Sequence, residues 1–216
     1  MQFKAMRTFV LAIWIAGCSS GTLWAKESQF NEAVSVGEKA PNFIDLPGID
    51  GKTHGLSEYA KAKAVVVVFT CNHCPVAMAY EDRLVALQKD YGKRGVQLVA
   101  ICSTFEPGNE IDQLRERAES KKFDFPYLRD ADQKTGRAYG ASKTPQVLLL
   151  DGDRKIAYMG AIDDNEAPEK VSKPYLRDAI ESVLEDKEPA TKETQPSGCG
   201  IRYKRRPPVR ATSREE

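Results

Sequence analysis

The sequence predicts an α/β protein of three layers, in which a mixed β-sheet lies between helices, and three observations support this fold class. Short apolar runs typical of strands alternate along the chain with stretches whose apolar residues recur at helical spacing. The run at 64–69 consists of Ala, Val and Phe only, as expected of a central strand buried on both faces. Two further runs, 146–150 and 155–159, are joined by an Asp-Gly-Asp turn typical of an antiparallel hairpin, and a last helix follows them.

Each remaining element follows from its local pattern. Residues 41–46 alternate apolar and polar side chains, as a half-buried strand does, and Asp50–Gly51 after them is a tight-turn signal. We therefore expect an N-terminal β-hairpin extension in front of the main sheet. The other strands are predicted from apolar runs and the helices from an apolar face: helix 75–91, strand 96–102, helix 109–121, an extended segment at 126–128, helix 131–139 and helix 174–185.

Length and charge limit the number of domains and the kinds of partner. The chain has 216 residues, of which 41% are hydrophobic, which suits one core of ordinary size and fits two full domains poorly. Lys and Arg number 32 against 31 Asp and Glu, so the net charge is +1 and no global field points to nucleic acid or anionic lipid. The sequence therefore predicts no nucleic-acid partner.

The first 25 residues are typical of a secretory signal peptide. Lys4 and Arg7 precede the apolar run 9–16, which is too short to span a membrane, since that takes about 20 residues. Two processing routes stay open: ordinary cleavage after Ala25, or lipidation of Cys18, which follows a lipobox-like Ile-Ala-Gly. We expect an extracytoplasmic, periplasmic protein whose only contact with the membrane would be a lipid anchor at Cys18.

One domain is expected at 34–187. The polar stretch 25–36 before it is expected to be a short linker. The tail at 188–216 is polar, contains several Pro and becomes basic, and its last part, 205–216, is expected to be solvated.

The five cysteines include one close pair, Cys71 and Cys74, between the predicted central strand and a helix. A cysteine at a helix N-terminus is favoured as the thiolate, because unpaired N–H groups and the helix dipole stabilise negative charge. The thiolate is the attacking species in thiol–disulfide exchange, so we expect Cys71 to be the nucleophile and Cys74 to close the disulfide. His73 between them would, when protonated, stabilise the Cys71 thiolate further. A structural disulfide or two buried thiols is the alternative that the pair alone leaves open.

Further motifs accompany the pair. They are Ala40-Pro41-Asn42-Phe43, Asp50-Gly51-Lys52, the Val-rich strand, Phe69-Thr70-Cys71-Asn72-His73-Cys74-Pro75, and Thr144-Pro145 before a strand. Together these residues resemble the thioredoxin superfamily, specifically its exported, peroxiredoxin-like redoxin branch related to the alkyl-hydroperoxide-reductase and thiol-specific-antioxidant proteins.

The resemblance implies a thioredoxin-like fold and an exported thiol–disulfide oxidoreductase in which Cys71 attacks and Cys74 resolves. It also implies a cis Thr144–Pro145 bond facing the disulfide, with Thr144 offering backbone hydrogen bonds to a thiol substrate. The partners would be proteins that carry thiols or disulfides, or an upstream thiol reductant, and the redox-active disulfide would need no cofactor. Two departures concern proton handling: Thr70 stands where thioredoxin has Trp, and Val65 where thioredoxin has a buried acid.

A thiol peroxidase is the second function that the sequence leaves open. It would use Cys71 as the peroxidatic cysteine and Cys74 or Cys199 as the resolving one. Peroxiredoxins, however, carry the order P-x-x-x-[ST]-x-x-C, and counting back from Cys71 gives Val68 and Ala64 at the two specified positions. We therefore rank disulfide exchange above peroxide reduction.

A metal carrier is the third function, because soft thiolates select Cu(I) and Cys71, Cys74 and His73 lie close in sequence. Thioredoxin-fold copper carriers have one more residue between the cysteines and a distant His, whereas here the spacing is one residue short and no suitable distant His is found. We therefore predict no metal site.

Cys199 is a candidate auxiliary thiol. Flanking Gly residues let the backbone approach another surface closely, and an apolar pair at strand spacing follows. We expect the segment 197–203 to pack on the domain, where Cys199 would exchange with the Cys71–Cys74 disulfide or pair with Cys102.

The other polar candidates are expected to be structural. Tyr80, Glu81 and Asp82 follow the pair on the predicted helix, where a solvated face is expected rather than a carboxylate for proton transfer. Cys102 ends a predicted buried strand and is expected to be a small core residue.

Overall fold

The structure, a computed structural model, describes residues 28–205. Its strands, numbered in chain order, are β1 (Leu46–Pro47), β2 (Thr53–His54), β3 (Ala64–Phe69), β4 (Val96–Cys102), β5 (Tyr127–Arg129), β6 (Lys143–Thr144), β7 (Gln146–Leu150), β8 (Ile156–Gly160) and β9 (Cys199–Gly200). Its α-helices are α1 (Pro75–Tyr91), α2 (Ile111–Lys121), α3 (Lys134–Ala138) and α4 (Tyr175–Leu184). No helix within 28–205 is both long and apolar enough to cross a membrane. The predicted signal peptide, with Cys18, and the end of the tail from 206 lie outside the described residues.

Strands β5, β4, β3, β7 and β8 form one mixed sheet in this order, with β3 at its centre. β3 runs parallel to β4 and antiparallel to β7, and its residues are fully buried, as its apolar sequence predicts. Alternate side chains of β3 point to opposite faces. Val66 and Val68 join the apolar cluster beside α1, α2 and α4, whereas Val65 and Val67 join a second cluster that contains Tyr139 at the end of α3. These layers confirm the predicted α/β fold.

The topology brings three segments of the chain to one edge of this sheet. β3 and β4 are parallel, so their C-terminal ends, which lead to Cys71 and Thr104, lie side by side. β7 is antiparallel to β3 and its first residue, Gln146, pairs with Phe69, so the loop that contains Pro145 reaches the same edge. Residues that are far apart in sequence therefore meet where α1 begins.

The N-terminal region differs from its prediction in two ways. The half-buried strand expected at 41–46 is reduced to β1, because Asp45 has a φ of 55° and interrupts the extended run. β1 still pairs with β2, so the expected hairpin is present. The expected linker packs on the domain instead: the Asn31 side chain donates to the Tyr139 carbonyl at 2.9 Å, and Val34 is buried.

The C-terminal segment also packs on the domain beyond its predicted end at 187. On the edge strand β8, Met159 accepts a hydrogen bond from the Thr194 N–H at 3.0 Å and donates to the Lys192 carbonyl at 3.1 Å. β9 then pairs antiparallel with β6. These contacts satisfy main-chain groups at strand edges that would otherwise need water. The segment 197–203 therefore packs on the domain as predicted, and so does the polar stretch before it, around Lys192 and Thr194.

Candidate active site

Cys71 and Cys74 flank the turn between β3 and α1. The helix begins at Pro75, which suits the first turn because it has no N–H to satisfy, and Cys74 is the N-cap. The helix thus starts at the predicted residue, but Cys74 rather than Cys71 lies at its N-terminus. Both thiols are free and largely buried, with 6% of Cys71 and 2% of Cys74 exposed.

The Cys74 sulfur has polar partners in either protonation state. As a thiolate it accepts a hydrogen bond from the Ala77 N–H at 3.3 Å, and as a thiol it donates to the Thr144 carbonyl oxygen 3.0 Å away. The Cys71 thiol also hydrogen-bonds to it, and this bond is the main cause that lowers the pKa of Cys74 to about 4. The same bond, together with burial, raises the pKa of Cys71. The reduced pair therefore shares one thiol proton and carries one thiolate, and the attack by Cys71 that the sequence suggests stays a prediction.

The loop before β7 faces the two sulfurs. The Thr144–Pro145 peptide bond is cis, the isomer that the resemblance implies. The Thr144 hydroxyl lies 3.6 Å from the Cys71 sulfur, so this buried residue contacts both members of the pair. Its main chain, which the resemblance assigns to substrate binding, is paired with β9.

His73 lies at the rim of the site with its side chain exposed. Its Nδ1 is 3.4 Å from the amide nitrogen of Asn109, and its ring lies so close over Gly108 that a Cβ there would come within 2.1 Å of it. The backbone N–H of His73, by contrast, hydrogen-bonds to the Cys71 sulfur and acts to lower the pKa of that thiol. A role for the imidazole charge stays a prediction.

Cys199, on β9, lines the same pocket as Cys71 and Cys74 and packs against the apolar cluster that contains them. Of the two partners that the sequence suggests for it, the structure brings it to the Cys71–Cys74 pair. Cys102 is fully buried at the end of β4, where its thiol faces the Asn109 side-chain oxygen at 3.6 Å. Burial raises the pKa of Cys102 to about 11, so this residue behaves as the small core side chain that was expected.

A pocket of about 460 Å³ opens beside these thiols. Its walls include Cys71, His73, Cys74, Thr104, Thr144 and Cys199. The Thr104 hydroxyl is buried and has no hydrogen-bond partner among the described residues, so it can bond to a molecule in the pocket. A larger cavity, of about 920 Å³, is lined by none of these residues.

The sequence did not reveal Thr104, although its position carries a signal. It follows the C-terminal end of β4, and ligands of open α/β sheets bind at the carboxyl ends of parallel strands. That rule would have pointed to the residues after this strand as well as to those after β3.

The helix residues that follow the pair are solvated only at Asp82, whose side chain is exposed as predicted. Tyr80 and Glu81 are buried, and Tyr80 donates to the Asp163 carboxylate at 2.8 Å. Glu81 accepts two hydrogen bonds from the Arg117 guanidinium, at 2.8 and 2.7 Å. α2 packs close enough to cover this face, and the charges are buried because each has a partner.

The fold and the site together define a class of protein. A mixed sheet with two cysteines at the turn between a buried strand and a helix, faced by a cis-proline loop, is the arrangement of a thioredoxin-fold thiol–disulfide oxidoreductase. The chain belongs to the AhpC/TSA family, whose match covers residues 36–159.

Individual relatives agree with this assignment. The thiol-disulfide oxidoreductase ResA of Geobacillus thermodenitrificans is 30% identical over 158 residues, which cover 72% of this chain and 85% of that protein. The crystal structure of a hypothetical protein from Sinorhizobium meliloti matches with a TM-score of 0.75 and 31% identity over 81% of this chain and 97% of that one. A thioredoxin-family thiol:disulfide interchange protein from Chlorobium tepidum, at 22% identity and a TM-score of 0.52 over 62% of this chain and 92% of that one, shares the fold.

Proposed function

We propose that this protein is an exported thiol–disulfide oxidoreductase whose redox centre is the Cys71–Cys74 pair. The observation that carries the proposal is that both sulfurs line the pocket and face the same residue: the Thr144 hydroxyl lies 3.6 Å from the Cys71 sulfur, and the Thr144 carbonyl oxygen lies 3.0 Å from the Cys74 sulfur. The interaction between the two thiols lowers the pKa of Cys74 to about 4, so the pair holds one thiolate at neutral pH. The similarity to a protein named thiol-disulfide oxidoreductase supports the same chemistry.

In the proposed reaction Cys71, which has the larger exposed fraction, attacks one sulfur of a substrate disulfide. A bond forms between Cys71 and that sulfur, the substrate disulfide breaks, and its other sulfur leaves as a thiolate. The pair holds one proton between its two sulfurs, and during the attack this proton lies on Cys74, which donates to the Thr144 carbonyl oxygen.

The second step closes the disulfide of the enzyme. Cys74 releases its proton to solvent and attacks the Cys71 sulfur, so that the mixed disulfide breaks and the substrate leaves fully reduced. Two electrons have then passed from the pair to the substrate, and the reverse sequence oxidises a substrate dithiol. The two sulfurs supply both electrons, so the reaction needs no cofactor.

The reaction would take place outside the cytoplasm. The basic start of the chain and the apolar run 9–16 support a secretory signal, and lipidation of Cys18 would tie the protein to the membrane. Disulfides form and persist in this compartment, so the partners would be exported proteins with thiols or disulfides, or an upstream thiol reductant. A processed chain recovered from the periplasm is expected, and an unprocessed cytoplasmic chain would contradict export.

Turnover of a disulfide substrate by cysteine variants tests the redox centre. The wild-type protein is expected to cycle between the reduced pair and a Cys71–Cys74 disulfide, and Cys71→Ser and Cys74→Ser are expected to lose turnover. Cys102→Ala is the matched control, because this cysteine is buried away from the pocket and should leave turnover unchanged. Turnover that survives in Cys71→Ser would overturn the proposal.

The order of alkylation tests the roles within the pair. The reduced protein is treated with iodoacetamide at mildly acidic pH. We expect Cys71 to be labelled first, because its sulfur is the less buried of the two and the one proton of the pair can be held by Cys74, which then donates to the Thr144 carbonyl oxygen. Faster labelling of Cys74 would exchange the two roles.

Thiol peroxidase is a second candidate, and one contact favours it. The hydroxyl that peroxiredoxins carry three residues before the reactive cysteine is missing at Val68, but the Thr144 hydroxyl lies 3.6 Å from the Cys71 sulfur. The Cys71 thiolate would attack one peroxide oxygen, so that the O–O bond breaks, water or an alcohol leaves and Cys71 becomes a sulfenic acid. The Cys74 sulfur would then attack the Cys71 sulfur, and the disulfide would form with loss of water. Peroxide consumption that is lost in Cys71→Ser and slowed in Thr144→Val would support this activity. If the protein consumes peroxide no faster than a free dithiol does, the peroxidase activity is excluded and disulfide exchange is the remaining candidate.

A further inference from the structure

β9 holds Cys199 against the candidate active site through main-chain pairing. Cys199 is in register with Thr144, the residue whose hydroxyl and carbonyl groups contact the pair. Gly198 permits this approach: its φ is 135°, and a Cβ on it would come within 2.0 Å of the Thr144 carbonyl oxygen. A side chain at this position would therefore separate β9 from β6.

The segment that follows β9 is anchored as well. The Ile201 N–H donates to the Ser142 carbonyl at 3.0 Å, and the Tyr203 hydroxyl donates to the Ala141 carbonyl at 2.7 Å. The Arg137 guanidinium lies 4.4 Å from the centre of the Tyr203 ring. A cysteine on an untethered tail would sample many positions, whereas these contacts hold Cys199 in one.

The Cys199 side chain lies next to the Cys74 sulfur, and this neighbour raises the pKa of Cys199 to about 11. Cys199 also packs against the apolar cluster that contains Cys71 and Cys74, and it lines the same pocket. Three thiols are thus grouped, and the one that Cys199 contacts is the resolving cysteine of the proposed reaction.

We propose that Cys199 is a third redox-active thiol, which exchanges with the Cys71–Cys74 disulfide by bonding to Cys74. This rests on the proposed function, because that disulfide is its starting point. Cys199 releases its proton to solvent and its sulfur attacks the Cys74 sulfur; the Cys71–Cys74 bond breaks, and Cys71 leaves as a thiolate that takes up a proton. One disulfide breaks and one forms, so the step consumes no oxidant or reductant.

The exchange gives the oxidised protein a free Cys71 beside the pocket. If the oxidised protein had only the Cys71–Cys74 disulfide, neither cysteine of the pair would be a free thiol that could attack a substrate. With the disulfide moved to Cys74–Cys199, Cys71 can form a mixed disulfide with a substrate, and this is the intermediate through which substrate disulfides are rearranged.

Oxidation of the full-length Cys71→Ser protein tests the Cys74–Cys199 contact directly. The variant is treated with diamide, which oxidises neighbouring thiols to a disulfide, and its peptides are mapped without reduction. We expect monomers with a Cys74–Cys199 link and loss of both free thiols. Free Cys74 and Cys199 after treatment, or a Cys199 linked only to Cys102 or to another chain, would overturn the proposal.

Gly198→Ala in the Cys71→Ser protein is the matched control. It keeps every remaining thiol but should displace β9, so the Cys74–Cys199 link is expected to be lost. Its thermal unfolding, measured beside that of the parent, shows that the domain itself is intact. A link that forms equally well in this variant would contradict the part assigned to β9.

The wild-type protein separates this proposal from the proposed function. After complete oxidation of the pair, alkylation of Cys71 is expected in the wild type and is expected to be lost in Cys199→Ser. A protein that forms the Cys71–Cys74 disulfide and is never alkylated at Cys71 would overturn the role of Cys199 and leave the proposed function standing. A protein that never forms the Cys71–Cys74 disulfide would overturn the proposed function itself.

Discussion

At the scale of single residues, the charge of the reduced pair is open to a direct test. In Cys71→Ala the pKa of Cys74 is expected to rise, because the Cys71 thiol is the donor that stabilises the Cys74 thiolate most. In Cys74→Ala the pKa of Cys71 is expected to fall, since the sulfur to which it donates is gone. Ultraviolet absorbance of the thiolate, followed against pH, measures both changes. A Cys74 that still titrates near 4 in Cys71→Ala would show that its other neighbours, Ala77, Thr144 and Cys199, are enough to set its pKa.

His73→Ala is the companion variant. It removes the imidazole but keeps the backbone N–H that hydrogen-bonds to the Cys71 sulfur, so the pKa of the pair should change much less than in Cys71→Ala. The same absorbance titration measures the pKa of the pair in this variant. A rise as large as in Cys71→Ala would show that the imidazole charge acts on the pair, as the sequence alone suggested.

Thr104→Val should weaken substrate binding without harming the fold. The hydroxyl that it removes is buried at the pocket and has no partner among the described residues, so free energy of unfolding should stay equal or increase. Loss of one hydrogen bond to a bound substrate, worth about 1 kcal/mol, should raise KM about fivefold. Thr104→Ser keeps the hydroxyl and is the control; equal KM values in the two variants would exclude this contact.

At the scale of secondary-structure elements, α1 and α2 are joined by a charged pair that is mostly buried. Glu81 is 4% exposed and its carboxylate accepts both hydrogen bonds of the Arg117 fork. In Glu81→Ala the guanidinium loses this partner, and we expect the free energy of unfolding to fall by about 2 kcal/mol. Denaturant unfolding measures the loss, while turnover should not change because Glu81 does not line the thiol pocket.

The neighbouring Asp82 provides the control for this pair. Its side chain is 84% exposed and its salt bridge is with Lys121, so Asp82→Ala should change stability by less than about 1 kcal/mol. If Asp82→Ala and Glu81→Ala lower the free energy of unfolding equally, the buried Glu81–Arg117 pair adds no more stability than an exposed salt bridge. Loss of turnover in Glu81→Ala would instead indicate proton transfer by its carboxylate.

At the scale of the whole molecule, the charge of the pair determines how the redox equilibrium depends on pH. The reduced protein keeps its Cys74 thiolate at all pH values above about 4 and loses it only as the pH falls through that value. At neutral pH the thiolate stabilises the reduced form, so the disulfide should be more oxidising than that of thioredoxin, at about −270 mV. Reduction then takes up one proton for two electrons.

The measurable consequence is the slope of the reduction potential against pH. Between about pH 5 and pH 8 the potential should fall by about 30 mV per pH unit, because each unit changes the equilibrium constant tenfold. Equilibration with glutathione buffers gives this slope. A slope of about 59 mV, which corresponds to uptake of two protons, would show that both thiols are protonated in the reduced protein.

The sequence by itself determined the elements that local chemistry specifies. β3, β4 and β7, and helix α1 between Pro75 and Tyr91, have the predicted bounds, because continuous apolar runs and the Pro and Gly residues at their ends are local signals. The cysteine spacing and the Thr144–Pro145 dipeptide pointed to the site in the same way. The short β1 and the packed N-terminal segment escaped prediction, since a backbone φ at Asp45 and a contact of Asn31 with Tyr139 leave no periodic trace.

Only the tertiary structure decided how the thiols are arranged and charged. The Cys74 sulfur meets a carbonyl at Thr144, 70 residues further along the chain, and Cys199 reaches the same sulfur through pairing of β9 with β6. Burial of Glu81 and the unpaired hydroxyl of Thr104 likewise depend on which elements pack together. A thiol's pKa and reactivity depend on its burial and its hydrogen-bond donors. Here those donors and that burial come from segments distant in sequence, which no local pattern around the cysteines encodes.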